Sequence, residues 1–283
     1  MPLITTKELL LNAQKGGYAV CAFNMENMEM AQGILAAAKK LHAPVILQTT
    51  PSTIRYASLS LFHGIAAALA EDPEVVAALH LDHGDTFEHC VEMLNYGFTS
   101  IMYDGSKYSL EENIRRTNEV IKVAHAIDIP VEAEIGELAR LDDNGNIIEC
   151  SNIADVDNVK KYLESCHPDS LAIGIGNAHG FYKGPVDIKV DILRQCREFT
   201  DIPFVLHGCS GMDEETVKKS IEYGVAKINF GTQIRYQYVD YIRQGLEEKV
   251  DQGHAWRLSR YASDKLKDDV KKLILLAGSE NKA

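Results

Sequence analysis

The chain has 283 residues, of which 46% are hydrophobic and 25% charged, a composition typical of a globular protein with a substantial core. Its net charge of −12 argues against a nucleic-acid surface, which needs clustered Lys and Arg, but still allows a local pocket that binds an anion. No apolar stretch approaches the ~20 residues that cross a bilayer, and the first residues, MPLITTKELLLNAQKGG, lack the plan of a signal peptide. We therefore expect a cytoplasmic protein that acts on a small molecule and binds neither nucleic acid nor membrane.

Eight short apolar runs alternate with longer amphipathic ones, and the eight predicted strands lie at 18–24, 44–50, 76–82, 99–104, 130–135, 170–176, 203–208 and 225–230. This alternation predicts an α/β fold, a (β/α)8 TIM barrel forming a single domain over 1–283. A doubly wound sheet would carry a glycine-rich loop after its first strand, and FNMENMEM has none. Residues 233–283 are predicted to form a C-terminal helical extension that packs outside the barrel or against a partner.

The six cysteines are scattered without CxxC spacing, at Cys21, Cys90, Cys150, Cys166, Cys196 and Cys209. In a cytoplasmic protein such cysteines are expected to be reduced.

Polar residues gather at the carboxyl ends of the predicted strands. The set is Asn24, Thr50, Asp82, His83, Asp104, Glu134, His179, His207 and Asn229. In a barrel these ends converge on one face, where such enzymes have their active sites. The sequence therefore predicts a single polar site at that face.

Three of these residues, His83, His179 and His207, can supply three imidazole nitrogens to one ion, and three His with an open fourth position is a catalytic zinc pattern. Any one of them alone would more often be a structural, hydrogen-bonded His. His80 lies inside the third strand, and we interpret it as structural.

Two glycine-bearing motifs, HGCSG at 207–211 and NFGT at 229–232, follow the seventh and eighth strands. Barrels often bind a phosphate at these loops, because bare N–H groups at a helix start suit an anion. Ordinary turn and capping chemistry is the alternative for each motif.

Asp82 immediately precedes His83, and adjacent strand residues face opposite ways. If both serve the site, the strand must end at about Asp82. An acid beside a metal-bound carbonyl can move a proton to a substrate oxygen. The alternative is that Asp82 orients a histidine ligand.

In their order along the chain, these motifs resemble the class II, zinc-dependent fructose- and tagatose-bisphosphate aldolases. The resemblance runs from GYAVCAFN through LDHGD, YDGS, VEAEIG, AIGIGNAHGFYKG and PFVLHGCSG to AKINFGT, and is nearest to the tagatose-bisphosphate branch.

The resemblance implies a zinc-dependent lyase of carbohydrate metabolism that releases dihydroxyacetone phosphate, with Asp82 as proton donor to the aldehyde oxygen. It implies that His83, His179 and His207 bind Zn²⁺, with Asp104 and Glu134 lining a second or alternate metal position. It implies a monovalent cation, Na⁺ or K⁺, bound by backbone oxygens near the phosphate. The substrate-binding residues would be Asn24, Thr50, Gly180, Gly208, Cys209, Ser210, Asn229, Phe230, Gly231 and Thr232.

The sequence departs from the family pattern in the loop after the fifth strand, GELARLDDNGN. Ala139 and Arg140 stand where the family has two glycines, and Asp142 stands where a Glu is usual. We expect Asp142 to remove the proton from dihydroxyacetone phosphate. The alternative is that Asp142 is a solvated residue of a turn, beside the turn pair NG. Asn177, Cys209 and the segment PSTIRY at 51–56 also differ from the family, so the identity of the aldehyde is more open than the reaction.

The function that the sequence favours is reversible retro-aldol cleavage of a phosphorylated ketose of the fructose- or tagatose-1,6-bisphosphate type. An alternative substrate is a modified ketose 1-phosphate, sulfonated or deoxy, whose far group would be read by Arg55, Arg140, Arg257 or Arg260. We expect a homo-oligomer, a dimer or a tetramer.

Three rival classes remain at this stage. A lysine aldolase could use Lys107 or Lys227, but it would leave three His without a purpose. A barrel metallohydrolase would open with an HxH pair on its first strand, and AFNMEN has no His. A non-catalytic accessory subunit would not need Asp82 together with three metal ligands.

Overall fold

A computed structural model describes residues 3–141, 147–149, 152–182 and 187–283 of the chain. Its strands are β1 (Val20–Asn24), β2 (Val45–Thr49), β3 (Ala77–Gly84), β4 (Ser100–Tyr103), β5 (Val131–Ile135), β6 (Ala139–Leu141), β7 (Ile147–Glu149), β8 (Ser170–Ile173), β9 (Ala178–His179), β10 (Phe204–Leu206) and β11 (Val225–Phe230). Eight of them form a closed parallel barrel in the order β1-β11-β10-β8-β5-β4-β3-β2. The predicted (β/α)8 barrel is therefore confirmed, and each predicted strand overlaps an observed one.

The helices are α1 (Thr6–Gly16), α2 (Met28–Leu41), α3 (Pro51–Tyr56), α4 (Leu59–Leu69), α5 (Phe87–Asn95), α6 (Leu110–His125), α7 (Val156–Ser165), α8 (Asp191–Arg197), α9 (Glu214–Glu222), α10 (Thr232–Glu247) and α11 (Ala255–Leu276). Polar N-caps define where several of them begin: the side chains of Asn27, Thr86, Ser109 and Asp213 each accept a hydrogen bond from a backbone N–H three residues on. Within the described ranges, no helix has both the length and the apolarity to span a membrane.

Two pairings close the ring at its first strand. β1 pairs with β11, so that Ala22 lies beside Asn229, and with β2, so that Ala22 also lies beside Ile46. Outside the barrel, β9 pairs with β6 and β6 with β7 in a small three-stranded sheet. Because β9 contains His179, this sheet ties one predicted metal ligand to the segment after β5.

The amino-terminal end of the barrel is plugged by α1. Leu9, Leu10 and Ala13 of this helix pack with the lowest inward-facing barrel residues in one buried apolar cluster, whose strand members are Val20, Ala22, Ile46, Ala78 and Ala226. The period-two alternation of the strands places these small and branched side chains inward. Polar chemistry is therefore left to the other end of the barrel.

The last two helices cover the outside of the barrel. α10 follows β11 after a single residue, which puts it in the place of the eighth barrel helix, and α11 packs against α2 and α10. In α11, Leu266 and Val270 are fully buried in the core shared with these helices. Of the six cysteines, those that the structure describes are free and buried; Cys150 lies outside the described residues.

Candidate active site

A cavity of about 570 Å³ opens at the carboxyl ends of the barrel strands. It brings together most of the polar residues that the sequence singled out. Those that line it are Asn24, Thr50, Asp82, His83, Asp104, Glu134, His179 and Asn229. His207 lies at the floor of the same site, buried beside His83. The predicted convergence at one face is thus observed.

The three predicted histidine ligands surround one point. The ring centroids of His179 and His207 each lie 4.8 Å from that of His83, and 6.3 Å from each other. His207 Nδ1 and His83 Nε2 are 3.1 Å apart, and one nitrogen of each ring lies within 4.8 Å of the others. Three imidazole nitrogens at this spacing can ligate a single metal ion and leave a fourth position open.

The expectation that the third strand ends at about Asp82 is wrong, and the reason is a local kink. β3 continues to Gly84, but His83 has a φ of 52°, in the left-handed region that few non-glycine residues adopt. The pairing of β3 with β4 shifts register between Leu81 and Gly84. This bulge turns His83 toward the cavity although it follows an inward-facing residue, so both side chains reach the site.

A second ligand group uses the other nitrogen of His83. Its Nδ1 lies 2.9 Å from Asp104 Oδ2 and 3.8 Å from Glu134 Oε2. Asp104 is held by the backbone N–H and the hydroxyl of Ser106, which donate to its Oδ1. Glu134 Oε2 is buried without a hydrogen-bond partner among the described residues. A buried, unsatisfied carboxylate oxygen beside two other ligands suits a bound cation.

Electrostatics of the site point the same way. Burial acts to lower the pKa of His83, but the carboxylates of Asp82, Asp104 and Glu134 outweigh it and raise that pKa to about 10. Burial, followed by the charge of Asp104, raises the pKa of Glu134 well above its usual value. Three acidic side chains crowd one imidazole, and a divalent cation would favour the ionised form of all three. The residues present therefore fit a metal ion.

Asp82 is fixed by two amides. Asn24 Nδ2 donates to its Oδ2 over 2.8 Å, and Asn229 Nδ2 donates to its Oδ1 over 3.1 Å. Gln48 in turn donates to Asn24 Oδ1 over 3.0 Å. Burial would raise the pKa of Asp82, but His83, followed by His207 and Lys227, outweighs it and lowers the pKa to about 2. This carboxylate thus stands, ionised and oriented, 3.8 Å from His83 Nε2.

The predicted phosphate-binding residues divide into two groups. Gly208, Ser210, Gly231 and Thr232 line the cavity, whereas Cys209 and Phe230 are buried in the core. Ser210 Oγ accepts a hydrogen bond from the backbone N–H of Gln233 in the first turn of α10. Gly180, which was also predicted to bind the phosphate, is not among the described residues that line the cavity.

Two glycines in this group are required by close packing. Gly208 has a φ of 64°, and a Cβ there would lie 2.3 Å from the carbonyl oxygen of Ala178. A Cβ on Gly231 would lie 2.6 Å from Asn24 Oδ1. Larger residues would therefore displace the segment that carries His179 in the first case, and the amide that holds Asp82 in the second.

Cations lie on the rim of the cavity. Arg55, which the sequence had suggested, lines it, and so do Lys107 and Arg235. Arg235 was missed; it lies one turn into α10 and is 3.5 Å from Glu26 Oε1. Neither Arg257 nor Arg260 is among the described residues that line the cavity.

Two further predictions fall outside the part of the chain that the structure describes. Asp142, the expected base, lies in a gap between the described ranges, and so does the side chain of Arg140. Both therefore remain predictions.

Sequence reasoning also missed a group of buried charged and polar side chains that contact one another beneath the site. Glu132 Oε1 lies 2.8 Å from His207 Nε2, and Glu132 Oε2 lies 2.7 Å from Lys227 Nζ. His80 completes the group, with its Nε2 3.2 Å from Lys227 Nζ. A signal existed: VEAEI, LHLD and KIN each place two polar residues two positions apart, on one face of a strand.

A parallel barrel with three histidines, an acid and glycine-bearing loops at its carboxyl end is the arrangement of an enzyme active site that can hold a metal ion. Comparison with known families makes the assignment specific: the family model described as "Fructose-bisphosphate aldolase class-II" matches residues 4–282. The chain belongs to the class II fructose-bisphosphate aldolase family, and it is an enzyme of the lyase class.

Solved structures agree with this assignment. The YdjI aldolase from Escherichia coli K12 is 28% identical, with 99% of each chain covered and a TM-score of 0.86. A putative fructose-1,6-bisphosphate aldolase from Coccidioides immitis is 29% identical over 97% of this chain and 96% of that one, also with a TM-score of 0.86. The fructose-bisphosphate aldolase of Campylobacter jejuni, at 23% identity, 100% and 97% coverage and a TM-score of 0.84, shares the fold.

Proposed function

We propose that this class II aldolase uses Zn²⁺ to cleave a phosphorylated ketose into dihydroxyacetone phosphate and an aldehyde. The observation that carries the proposal is the position of Asp82. An ionised carboxylate lies 3.8 Å from a nitrogen of the three-histidine group, in the cavity that Gly208, Ser210 and Gly231 also line. One cavity thus contains the residues proposed for proton transfer, for metal binding and for binding an anion.

His83, His179 and His207 would hold the zinc ion, which when bound would act as a Lewis acid on the carbonyl end of the substrate. Asp82 exchanges a proton with the hydroxyl oxygen at the bond that breaks. The side-chain amides of Asn24 and Asn229 hold this carboxylate in place, and they do not themselves transfer a proton to the substrate. Asp142 remains our expectation for the base that removes a proton from dihydroxyacetone phosphate.

Two features support a phosphate position near the start of α10. This helix begins at Thr232 after Gly231, which has no side chain to cap it, so the positive end of the helix dipole is available to an anion. The Ser210 hydroxyl lies at the same turn, 3.0 Å from the N–H of Gln233. Backbone oxygens of the neighbouring glycine-bearing loops would supply a site for a monovalent cation that offsets the phosphate charge.

The far end of the substrate faces the cation-bearing rim. Among the described residues, no carboxylate pairs with Arg55 or with Lys107, although both line the cavity of an acidic protein. Rim cations that no described carboxylate pairs with favour a substrate whose far group is an anion, as in a ketose bisphosphate. A sulfonated ketose 1-phosphate would suit the same cations and is the second candidate; a deoxy sugar without a far charge is less favoured.

The test is an aldol-direction screen of the zinc-loaded enzyme. Dihydroxyacetone phosphate is supplied with a phosphorylated, a sulfonated or an uncharged three-carbon aldehyde, and consumption of dihydroxyacetone phosphate is followed. We expect turnover with an anionic aldehyde and at least about tenfold less with the uncharged one. Zinc-loaded protein that consumes no dihydroxyacetone phosphate with any of them would contradict the proposal.

A further inference from the structure

A chain of buried polar groups runs through the barrel from the histidine group toward the plugged end. Thr6 Oγ1 donates to Ser100 Oγ over 2.8 Å, and Ser100 Oγ lies 2.8 Å from His80 Nδ1. From His80 the chain continues through Lys227 and Glu132 to His207, with contacts of 3.2, 2.7 and 2.8 Å. All six side chains are at most 3% exposed. Few barrel interiors need such a chain for packing, since branched apolar side chains usually fill them.

The donors and acceptors in this series of polar groups allow only one arrangement of protons near the active site, among Lys227, Glu132 and His207. Lys227 has only N–H donors, so Glu132 Oε2 and His80 Nε2 both accept from it. Glu132 Oε1 is then an acceptor as well, and His207 must donate its Nε2–H to it. The Nδ1 of a neutral His207 therefore carries the lone pair, and Nδ1 is the nitrogen that lies 3.1 Å from His83 Nε2.

Stability does not explain why this series of buried polar groups contains charged side chains. Removing an ammonium and a carboxylate from water is unfavourable, and well-packed apolar residues of similar volume are often as stable or more so. A few residues lower, the same barrel interior is filled by side chains such as Val20 and Ile46. The Lys227–Glu132 pair instead contacts a residue of the active site.

We propose that Glu132 and Lys227 are positioning residues for His207. Glu132 fixes the tautomer and the ring orientation of His207, and Lys227 fixes Glu132 as an acceptor toward it. The proposal rests on the proposed function, because His207 is a zinc ligand only in that scheme. Carboxylates that orient ligating histidines typically change metal affinity 10- to 100-fold when they are mutated.

The first variant is Glu132→Gln. A glutamine here would turn its oxygen toward the Lys227 ammonium and its NH₂ toward His207 Nε2, because two sets of donors cannot face each other. His207 would then accept at Nε2 and carry its proton on Nδ1, the nitrogen that faces the histidine group. We expect the zinc affinity, measured by competition with a chromophoric chelator, to fall about 10- to 100-fold.

The decisive variant adds Lys227→Met to Glu132→Gln. Without the ammonium, the introduced glutamine can turn its oxygen back to His207 Nε2, so we expect most of the lost zinc affinity to return. A merely structural role predicts the opposite, since two buried substitutions would then disturb the site more than one. The matched control is Ser170→Ala, which lies beside Glu132 in the β5–β8 pairing and should leave zinc affinity unchanged.

A measurement on the unmodified protein covers the case in which a variant fails to fold. Histidine ¹⁵N–¹H correlation spectra of the metal-free protein report which ring nitrogen carries the proton, and we expect the Nε2–H form for His207. The Nδ1–H form, or a folded double variant that binds zinc as weakly as Glu132→Gln, would overturn the proposal. If the unmodified protein bound no zinc at all, the proposed function would fail instead, and the tautomer would still test the role of Glu132.

Discussion

The two ends of the barrel interior differ sharply although the same strands build both. At the amino-terminal end, α1 seals a dry cluster of Ala and branched side chains. Two or four residues further along β1, β2 and β3, on the same inward face, the side chains are amides, carboxylates or imidazoles. The changes run from Ala22 to Asn24, from Ile46 to Gln48, and from Ala78 through His80 to Asp82.

The difference shows that one end of the barrel interior mainly stabilises the fold, whereas the other end contains the residues of the candidate active site. An apolar lower end excludes water from beneath the site, so the charges above it act on one another through a medium of low effective dielectric constant. The large pKa shifts of His83 and Asp82 follow from this confinement together with their mutual proximity. Perturbing the lower end should change the stability of the fold, and perturbing the upper end should change the chemistry.

Removal of the metal should have the largest effect and should be confined to the upper end. We expect thorough chelation to lower aldol turnover at least about 1,000-fold, because several kcal/mol of Lewis-acid stabilisation are lost. Addition of Zn²⁺ should restore turnover, with the fold unchanged by circular dichroism. Full activity in protein shown to be metal-free would end the zinc mechanism.

Leu10→Ala should act on the lower end alone. Leu10 is buried in the plug, and truncation of a buried leucine costs about 3 kcal/mol of unfolding free energy through the cavity it leaves. Denaturant titration should show that loss while kcat of the folded variant stays the same. Leu11→Ala, on the exposed face of the same helix, is the control. A large drop in kcat would mean that the two ends are coupled.

Asp82→Ala should act on the upper end alone. We expect about 100-fold lower cleavage, the scale of a lost general base for the hydroxyl proton, with zinc content retained. Proton exchange of dihydroxyacetone phosphate should survive better than cleavage, because it involves no transfer to the oxygen of the breaking bond. If both rates fell equally, Asp82 would act by orienting the histidines.

His80 lies between the two ends and should make stability depend on pH. Burial, followed by the charge of Lys227, lowers the pKa of His80 to about 3, against 6.5 for the usual value. Between these values the unfolded chain takes up a proton that the folded protein excludes, so stability falls as pH falls through 6.5. We expect a contribution of about 1.4 kcal/mol per pH unit in this window. Thermal unfolding of metal-free protein should be less steep in pH for His80→Gln; an identical slope would contradict the assignment.

Arg55→Gln should have the smallest effect, since Arg55 is exposed at the rim. We expect kcat/KM for an anionic aldehyde to fall about two- to fivefold, the range of an exposed ion pair, with no change for an uncharged aldehyde. Arg260→Gln, on α11 and paired with Asp264, is the control. Equal losses for both aldehydes would show that Arg55 shapes the cavity rather than reads charge.

Much of this comparison could be predicted from the sequence, because strand periodicity and polar strand ends are local patterns. The barrel and the meeting of His83, His179 and His207 follow from those patterns alone. The left-handed kink at His83 could not be predicted, since it depends on β4 accepting a shifted register.

The ion pair of Glu132 and Lys227 joins strands 95 residues apart, so only the closed barrel reveals it. Arg235 was missed for a related reason. Its approach to the cavity depends on the direction of a helix rather than on a strand end.

The two ring nitrogens of His83 face two different groups of candidate metal ligands, and this limits how many ions the active site can bind. Its Nε2 faces the other two histidines, and its Nδ1 faces Asp104 and Glu134. A neutral imidazole has a single lone pair, so His83 can serve one ligand group or the other at a given moment. In the proposed mechanism the two groups would therefore be alternative sites for one ion, and we expect a binding stoichiometry of one zinc per chain.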